Sequence, residues 1–256
     1  MVKSTRAFSM LVALLAVGFW GCSSDDKTGT GPGGNNNTTL GPDFSKVAIS
    51  IPAPLQAAAN ANPGGGAAIA VSYITQVNAM AAFATYFTPP SVAPGPRPVR
   101  RPESFAAGAN DSVTWTDGQV TVTVVTQIIE GSVTTFSVRL DGSEGGTTYS
   151  NFEYISGYFF PDGSEGDFNI YHPSSPTVPI TRWAWSRDPS NALIMTYMEF
   201  TANTLISIGV NTDGSGSIGY SYSNHVQYAA VWASDGSGSW SFYDNQGNVT
   251  DSGTWQ

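Results

Sequence analysis

The sequence predicts a mainly β protein, an antiparallel up-and-down meander of about a dozen strands curled into a partial or closed barrel around one N-terminal amphipathic helix. Three observations support this prediction. Short turns built on Asp-Gly recur through the second half of the chain, and such turns are typical of tight hairpins. Between the turns, apolar residues alternate with Ser, Thr and Gly, which indicates strands with one buried face. One earlier segment has the three- and four-residue apolar spacing of a helix instead.

The composition supports a turn-rich β protein and excludes nucleic acid as a partner. Only 11% of the 256 residues are charged and 28 are glycine, as in many secreted β proteins. The formal net charge of −9 leaves nothing to neutralise phosphates. The single cysteine, Cys22, rules out an intramolecular disulfide or a cysteine metal site.

The first 21 residues read as an export signal. Lys3 and Arg6 precede an apolar stretch over residues 7–20, which is shorter than the ~20 residues of a membrane-spanning helix. The stretch ends at Gly21-Cys22, which resembles the lipobox of bacterial lipoproteins. That resemblance implies cleavage before Cys22 and acylation of this cysteine, and several acyl chains hold a protein on a membrane. Ser23 in place of Asp after the cysteine implies the outer membrane of the cell envelope.

The rest of the chain divides by composition. Residues 22–42 comprise the lipidated cysteine and a Ser-, Asp-, Gly-, Asn- and Thr-rich segment with too few apolar residues for a core, so we expect a disordered tether. Residues 43–256 are expected to form one globular domain. It consists of a helical segment with a proline-rich loop (43–110) and the β meander (111–256).

The one strong helix signal covers residues 67–87. Apolar residues at helical spacing form a stripe between the glycines of residues 64–66 and Pro89-Pro90. Residues 55–61 predict a further helical turn or two. The aromatic stripe indicates a packing surface rather than a free helix.

The strands and their turns follow one another closely. Asp-Gly turns are predicted at Asp141, Asp162, Asp213 and Asp235, and Asp188-Pro189-Ser190-Asn191 fills the slot where one is missing. A second set of polar turns alternates with these, including one at Ser150-Asn151. Connections this short require each strand to pair with its neighbour in sequence.

The width of this sheet predicts its curvature. A dozen strands at about 4.8 Å spacing span about 55 Å, whereas one helix is about 10–12 Å across. A flat sheet would expose most of its apolar face, so we expect the sheet to curl around the helix. The last hairpin, from Gly236-Ser-Gly-Ser-Trp240 to Ser252-Gly253-Thr254-Trp255, resembles a MORN-type hairpin repeat, which implies hairpin architecture but no function.

Curling would create an apolar site between helix and sheet. Unclosed-barrel lipoprotein carriers, which pack a helix against a concave sheet, share this general plan. The first function we expect is therefore a non-catalytic envelope lipoprotein that holds a lipid or other apolar ligand. Its lining residues would be Tyr73, Val77, Met80, Phe136, Tyr220 and Trp240.

The alternative is a surface module that binds glycans or proteins through exposed tryptophans, namely Trp115, Trp183, Trp185, Trp232 and Trp255. An integral outer-membrane barrel is less consistent with strands this short. A glycosidase would need two carboxylates flanking a sugar, and the candidates Glu153 and Glu199 are both predicted to face solvent.

No cofactor motif appears, and His172 and His225 have no partners at metal-ligand spacing. The sequence thus predicts no enzyme, no metal and no cofactor. It leaves the oligomeric state open.

Overall fold

A computed structural model describes residues 41–87, 110–129 and 133–256. The predicted signal peptide (1–21), Cys22 and nearly all of the tether lie outside the described residues, as does most of the proline-rich loop. The described residues all belong to one compact unit, Thr38–Gln256.

Twelve antiparallel strands form one sheet in chain order, with β1 and β12 as its two edges. The predicted up-and-down meander is confirmed; the sheet stays open and does not close into a barrel. The strands are β1 Asn110–Asp117, β2 Val120–Ile129, β3 Val133–Glu144, β4 Thr147–Phe159, β5 Glu165–Ile170, β6 Thr181–Arg187, β7 Leu193–Glu199, β8 Thr204–Val210, β9 Gly216–Tyr222, β10 His225–Trp232, β11 Gly238–Tyr243 and β12 Val249–Trp255.

The helical part contains more than the one helix predicted. After a short 3-10 helix, Phe44–Lys46, the α-helices α1 (Ala53–Ala61) and α2 (Gly66–Asn78) follow, and α2 continues as a 3-10 helix, Ala79–Phe87. We call α1, α2 and the 3-10 helix Ala79–Phe87 the helical layer, and the face of the sheet that it covers the inner face.

The change from α-helix to 3-10 helix brings aromatic side chains to the sheet. Residues three apart eclipse one another in a 3-10 helix, and the rings of Phe83 and Tyr86 lie 6.2 Å apart. Phe83 then contacts Trp183, Tyr86 contacts Tyr154, and Phe87 packs edge-on against Phe136.

Helix α2 is fixed to the inner face at both of its ends. Its buried stripe includes Ile74 and Val77 and packs on β7, β8, β11 and β12. At the N-terminal end, the Tyr228 hydroxyl donates a hydrogen bond of 2.6 Å to the Gly66 carbonyl. At the C-terminal end, Trp183 Nε1 donates to the Val77 carbonyl at 3.2 Å.

The predicted turns at Asp162, Asp188, Asp213 and Asp235 are confirmed, and all four connect strands at one end of the sheet. At Asp213, Oδ1 accepts hydrogen bonds from the Ser215 backbone at 2.9 Å and from its hydroxyl at 2.6 Å. Gly214 has a φ of 84°, a conformation that glycine adopts without steric cost. Asn191 takes the same position in the Asp188 turn, with a φ of 65°.

The predicted turns at Asp141 and at Ser150-Asn151 are wrong. Both segments lie inside a longer hairpin whose turn is Gly145-Gly146. The Asp141 carboxylate accepts a hydrogen bond from the Asn151 backbone across this hairpin at 3.0 Å instead of closing a turn of its own. Two adjacent glycines allow a tighter reversal three residues later.

Candidate functional site

The six residues predicted to line an apolar site all lie between the helical layer and the sheet. Val77, Met80 and Phe136 are buried, with at most 4% of their surface exposed. The rings of Tyr73 and Tyr220 stack 4.9 Å apart. The six residues do not surround a single point, because Phe136 packs with Phe87 whereas a Cβ added to Gly66 of α2 would meet the Trp240 ring at 2.1 Å.

Two hollows in the described part of the structure do not coincide with this set. One hollow beside Lys46 and Trp185 has a volume of about 10 Å³, room for about one water molecule. The other, about 510 Å³, is an open depression lined by the ends of β10, β11 and β12. None of the six residues lines either hollow.

The tyrosines between the helical layer and the sheet remain uncharged. Burial raises the pKa of Tyr73, with the neighbouring Tyr220 adding to the effect. Burial also raises the pKa of Tyr228, whose hydroxyl holds the Gly66 carbonyl. The Tyr228 hydroxyl therefore acts as a hydrogen-bond donor and not as a proton acceptor.

The tryptophans expected on an exposed surface lie on the inner face. Trp183, Trp185, Trp232 and Trp255 are at most 5% exposed, and Trp115 is half-buried. The prediction that these side chains are exposed is therefore wrong for four of the five. Alternation along each strand turns them toward the helical layer, so they contribute to the core.

A glycine on the neighbouring strand lies beneath several of these indoles. The directly opposed pairs are Gly166–Trp185, Gly216–Trp232 and Gly238–Trp255, and a Cβ on any of the three glycines would come 2.3 Å from the indole. The sequence analysis missed this pairing. The signal was present as the glycine that follows each Asp-Gly-Ser turn, with a tryptophan on the next strand along the chain.

Glu153 and Glu199 are not brought together. Glu153 lies on the outer face, where Arg139 pairs with it at 3.5 Å. Glu199 is opposite Thr181 and Thr204, which are both buried, so it points to the inner side at the end of β7. The expectation that Glu199 faces solvent is wrong. Apolar residues occur on both faces of β7, so the alternation did not show which face is buried. Met195 and Tyr197 are in the core, whereas Ile194 is exposed. Glu153 in β4 and Glu199 in β7 are three strand spacings apart, or about 14 Å. Glycosidases need their two carboxyl groups about 5–9.5 Å apart.

A polar cluster lies on the outer face of β4, β5 and β6 and was not predicted from the sequence. Arg182 donates through Nε and Nη2 to Oδ2 of the buried Asp167, at 3.1 and 2.6 Å. Beside this pair, the Tyr158 hydroxyl donates to Glu165 at 2.7 Å. This hydrogen bond, together with burial, raises the pKa of Tyr158 to about 12. The charges are paired internally, which suits a structural role.

Neither a metal site nor a nucleophilic centre emerges in the described ranges. No group of three His, Cys, Asp or Glu residues there could hold a metal ion. His172 Nδ1 accepts from the Ser174 backbone at 3.2 Å and lies 2.7 Å from its hydroxyl, an arrangement that closes the local turn. Cys22 lies outside the described residues.

The chain matches no protein-family model, and no curated protein is similar to it at a significant level. Within the described residues, the segment Gly66–Ala84 is long and apolar enough to cross a membrane, judged by length and composition alone. In the fold this segment is α2 and the start of the 3-10 helix that follows, packed on the sheet.

Proposed function

We propose that this protein is a lipid-anchored, non-catalytic binding protein of the bacterial cell envelope, held on the outer membrane by acyl chains on Cys22. The charged start, the apolar residues 7–20 and the Gly21-Cys22 junction support the anchor. The composition of residues 23–42 supports a tether between anchor and domain.

The attachment of α2 to the sheet supports one kind of binding over another. Tyr228 and Trp183 hydrogen-bond the carbonyls at its two ends, and Met80, just beyond it, is 1% exposed. A lipid between helix and sheet would have to break these bonds and leave the polar groups unpaired, which costs about 1–3 kcal/mol for each buried group. The contacts therefore favour a partner bound outside over a lipid held inside.

A protein partner fits the exterior better than a glycan does. Glycan recognition by stacking needs exposed aromatic side chains, and four of the five tryptophans predicted for that role are in the core.

Mass spectrometry and acyl labelling test this proposal together. Labelled palmitate should mark the wild type and a Ser24→Ala control but not Cys22→Ser, because only Cys22 offers a thiol for the thioether. Organic extracts of the purified full chain should contain no stoichiometric lipid beyond the covalent chains. Equal labelling of all three proteins would end the lipoprotein assignment, and one tightly held free lipid per chain would restore the apolar-ligand function.

A further inference from the structure

Strand β12 is an edge of the sheet, and one of its sides has no partner strand among the described residues. It pairs only with β11 in the described sheet, while α1 and α2 contact it from the inner face. Trp255 fixes the end of this strand, because its indole donates to the Gly236 carbonyl at 2.7 Å. The unpaired backbone groups of an edge strand are able to pair with an extended peptide. An edge of seven residues that is already held in place is thus suited to strand addition.

The register identifies the backbone groups of β12 that point away from the sheet. In an antiparallel ladder, every second residue directs its N–H and C=O to the same neighbour. The Ala233 N–H bonds to the Ser237 carbonyl, so residues 239 and 241 of β11 bond to β10, and residues 238, 240 and 242 bond to β12. Their partners on β12 are residues 251, 253 and 255. The N–H and C=O groups of Ser252 and Thr254 therefore point outward.

A neighbouring carboxylate covers one of these outward groups. The Ser252 N–H donates to Oδ1 of Asp251 at 2.8 Å, and both residues are exposed. Asp251 is opposite Phe242, whose ring contacts the buried Tyr228, so Asp251 is in the inward phase of the edge. A charge in this phase opposes pairing with an apolar strand. An incoming carbonyl that takes the Ser252 N–H would release the carboxylate to a basic side chain directly opposite, where side chains approach most closely.

The charge around β12 is acidic. Residues 188–256 contain no Lys or Arg but six acidic residues, namely Asp188, Glu199, Asp213, Asp235, Asp244 and Asp251. Asp235 lies in the turn before β11 and Asp244 in the turn after it, so carboxylates lie near both ends of β12 as well as within it. An acidic edge of this kind attracts a basic segment and repels an acidic one.

A second copy of this chain is a poorer occupant than a basic partner. Neither edge strand contains Lys or Arg, whereas β1 contains Asp111 and Asp117 and β12 contains Asp251. Pairing edge to edge would therefore place two acidic strands side by side, and like charges opposite each other destabilise a strand pair. Charge thus favours a different protein.

An open depression beside the end of β12 offers room for a side chain of the partner. It has a volume of about 510 Å³, and its lining includes Thr254, Trp255 and the exposed Val231. A side chain opposite Thr254 on an added strand would lie at the rim of this depression, because opposed residues share a face. Pockets beside an edge give strand addition its specificity. The other edge, β1, contributes no residue to either of the two hollows described above.

We propose that a partner protein adds an extended segment to β12 as a thirteenth strand, with a basic side chain opposite Asp251 and an apolar side chain opposite Thr254. The proposal rests on the proposed function, in which a protein partner binds the exterior of the domain. It adds the surface that the partner uses and the chemistry of the partner's segment.

Selection from a display library of random peptides of roughly ten residues, the upper length of most strands, tests this proposal on the immobilised full chain in detergent. Enriched peptides should carry Lys or Arg three positions from an apolar residue, and fluorescence anisotropy should show that they bind the wild type. Ser252→Pro removes an outward N–H but no bond to β11, so it should weaken this binding about tenfold or more. The matched control Ser252→Ala keeps the N–H and should bind like the wild type.

Asp251→Lys tests the charge separately and decides the matter if circular dichroism shows that Ser252→Pro does not fold. It should bind the enriched peptides more weakly, and selection on this variant should no longer favour a basic residue. Peptides without a charge preference, equal binding to folded Ser252→Pro, or no enriched peptide at all would overturn the proposal. So would a wild-type dimer that Ser252→Pro separates into single chains. None of these outcomes depends on Cys22, so acyl labelling and lipid content test the proposed function independently.

Discussion

Gly216 and Gly219 lie three residues apart in β9 and serve the sheet in different ways. A Cβ on Gly216 would come 2.3 Å from the Trp232 ring and 2.5 Å from the Gly209 carbonyl oxygen. A Cβ on Gly219, which lies in the phase of the outer face, would meet nothing within 4 Å. The Trp232 indole therefore requires glycine at position 216, whereas no neighbouring atom requires glycine at position 219.

Alanine at these two positions should therefore have opposite effects. Gly216→Ala should lower the free energy of unfolding by about 1–3 kcal/mol, because the indole has to shift in a packed core. Gly219→Ala should leave it unchanged or raise it by about 0.4–1 kcal/mol, because the unfolded chain loses freedom. Urea unfolding of both variants checks this, and equal effects would show that Trp232 does not depend on the glycine.

Trp185 lacks the hydrogen bond that the indoles of Trp232 and Trp255 make to a turn. Trp232 and Trp255 donate their indole N–H to the carbonyls of Gly214 and Gly236 in the turns, at 2.9 and 2.7 Å. Trp185 Nε1 is buried without a partner. The turn beside it carries an extra residue, Glu165, and its Ser164 carbonyl accepts instead from the Arg187 backbone at 2.8 Å. The turn beside Trp185 is thus one residue longer than the turns that supply the acceptors for Trp232 and Trp255.

Among the elements, the turns whose backbone is held by an Asp side chain couple stability to pH. A hydrogen bond from the Ser215 side chain, with one from the Ser215 backbone, lowers the pKa of the Asp213 carboxyl below its ordinary value. The same cause lowers the pKa of Asp162, Asp188 and Asp235 through their serines, and the Asn248 side chain lowers that of Asp244.

Acid should therefore weaken the fold through these turns. A carboxyl whose folded pKa is depressed contributes stability that is fully present above its unfolded pKa of about 3.9 and is lost as pH falls through the folded pKa. The unfolding temperature should fall as the pH is lowered below about 4. A variant with Asn at all five positions keeps the acceptor oxygen but cannot titrate, so its unfolding temperature should fall less over the same range. An identical acid response in both proteins would contradict the role of the turns.

Local chemistry made most elements predictable. Alternation identified the strands, and Asp-Gly-Ser identified the turns at Asp162, Asp213 and Asp235, because these residues stabilise a reversal without help from elsewhere in the fold. The true turn of the β3–β4 hairpin could not be predicted in this way, because Asp141-Gly142 and Gly145-Gly146 are both suitable turn sequences. The contact between Asp141 and Asn151 forms only once β4 is in place. The phase of β7 was equally ambiguous, because Ile194, Met195, Tyr197 and Met198 supply apolar residues to both faces.

The predicted apolar site depended on how closely the helix packs on the sheet, which local sequence patterns do not determine. The spacing over residues 67–87 correctly indicated that Val77 and Met80 pack on the sheet, and both are buried. Whether helix and sheet enclose a space depends on the complementary shapes of distant side chains. Here the Tyr228 and Trp183 hydrogen bonds and the aromatic contacts of Phe83 and Phe87 bring the two layers into direct contact.

At the scale of the whole molecule, the helical layer solves the problem of an open sheet. Twelve strands without closure expose a wide apolar face, and one helix would cover too little of it. Two α-helices and a 3-10 helix cover this face together, and their buried residues join those of the strands in one hydrophobic core. The layer is in this account a permanent part of the core and not a lid over a ligand.

Native-state hydrogen exchange of the full chain tests this central claim most directly. Backbone amides of Ile74 and Val77 in α2 should exchange only through global unfolding, with the same opening free energy and the same denaturant dependence as those of Ile206 and Ile208 in β8. That result is expected because all four side chains lie in the same core. If the α2 amides exchange through a smaller opening that is insensitive to denaturant while β8 remains protected, the helix is a removable lid and the account is wrong.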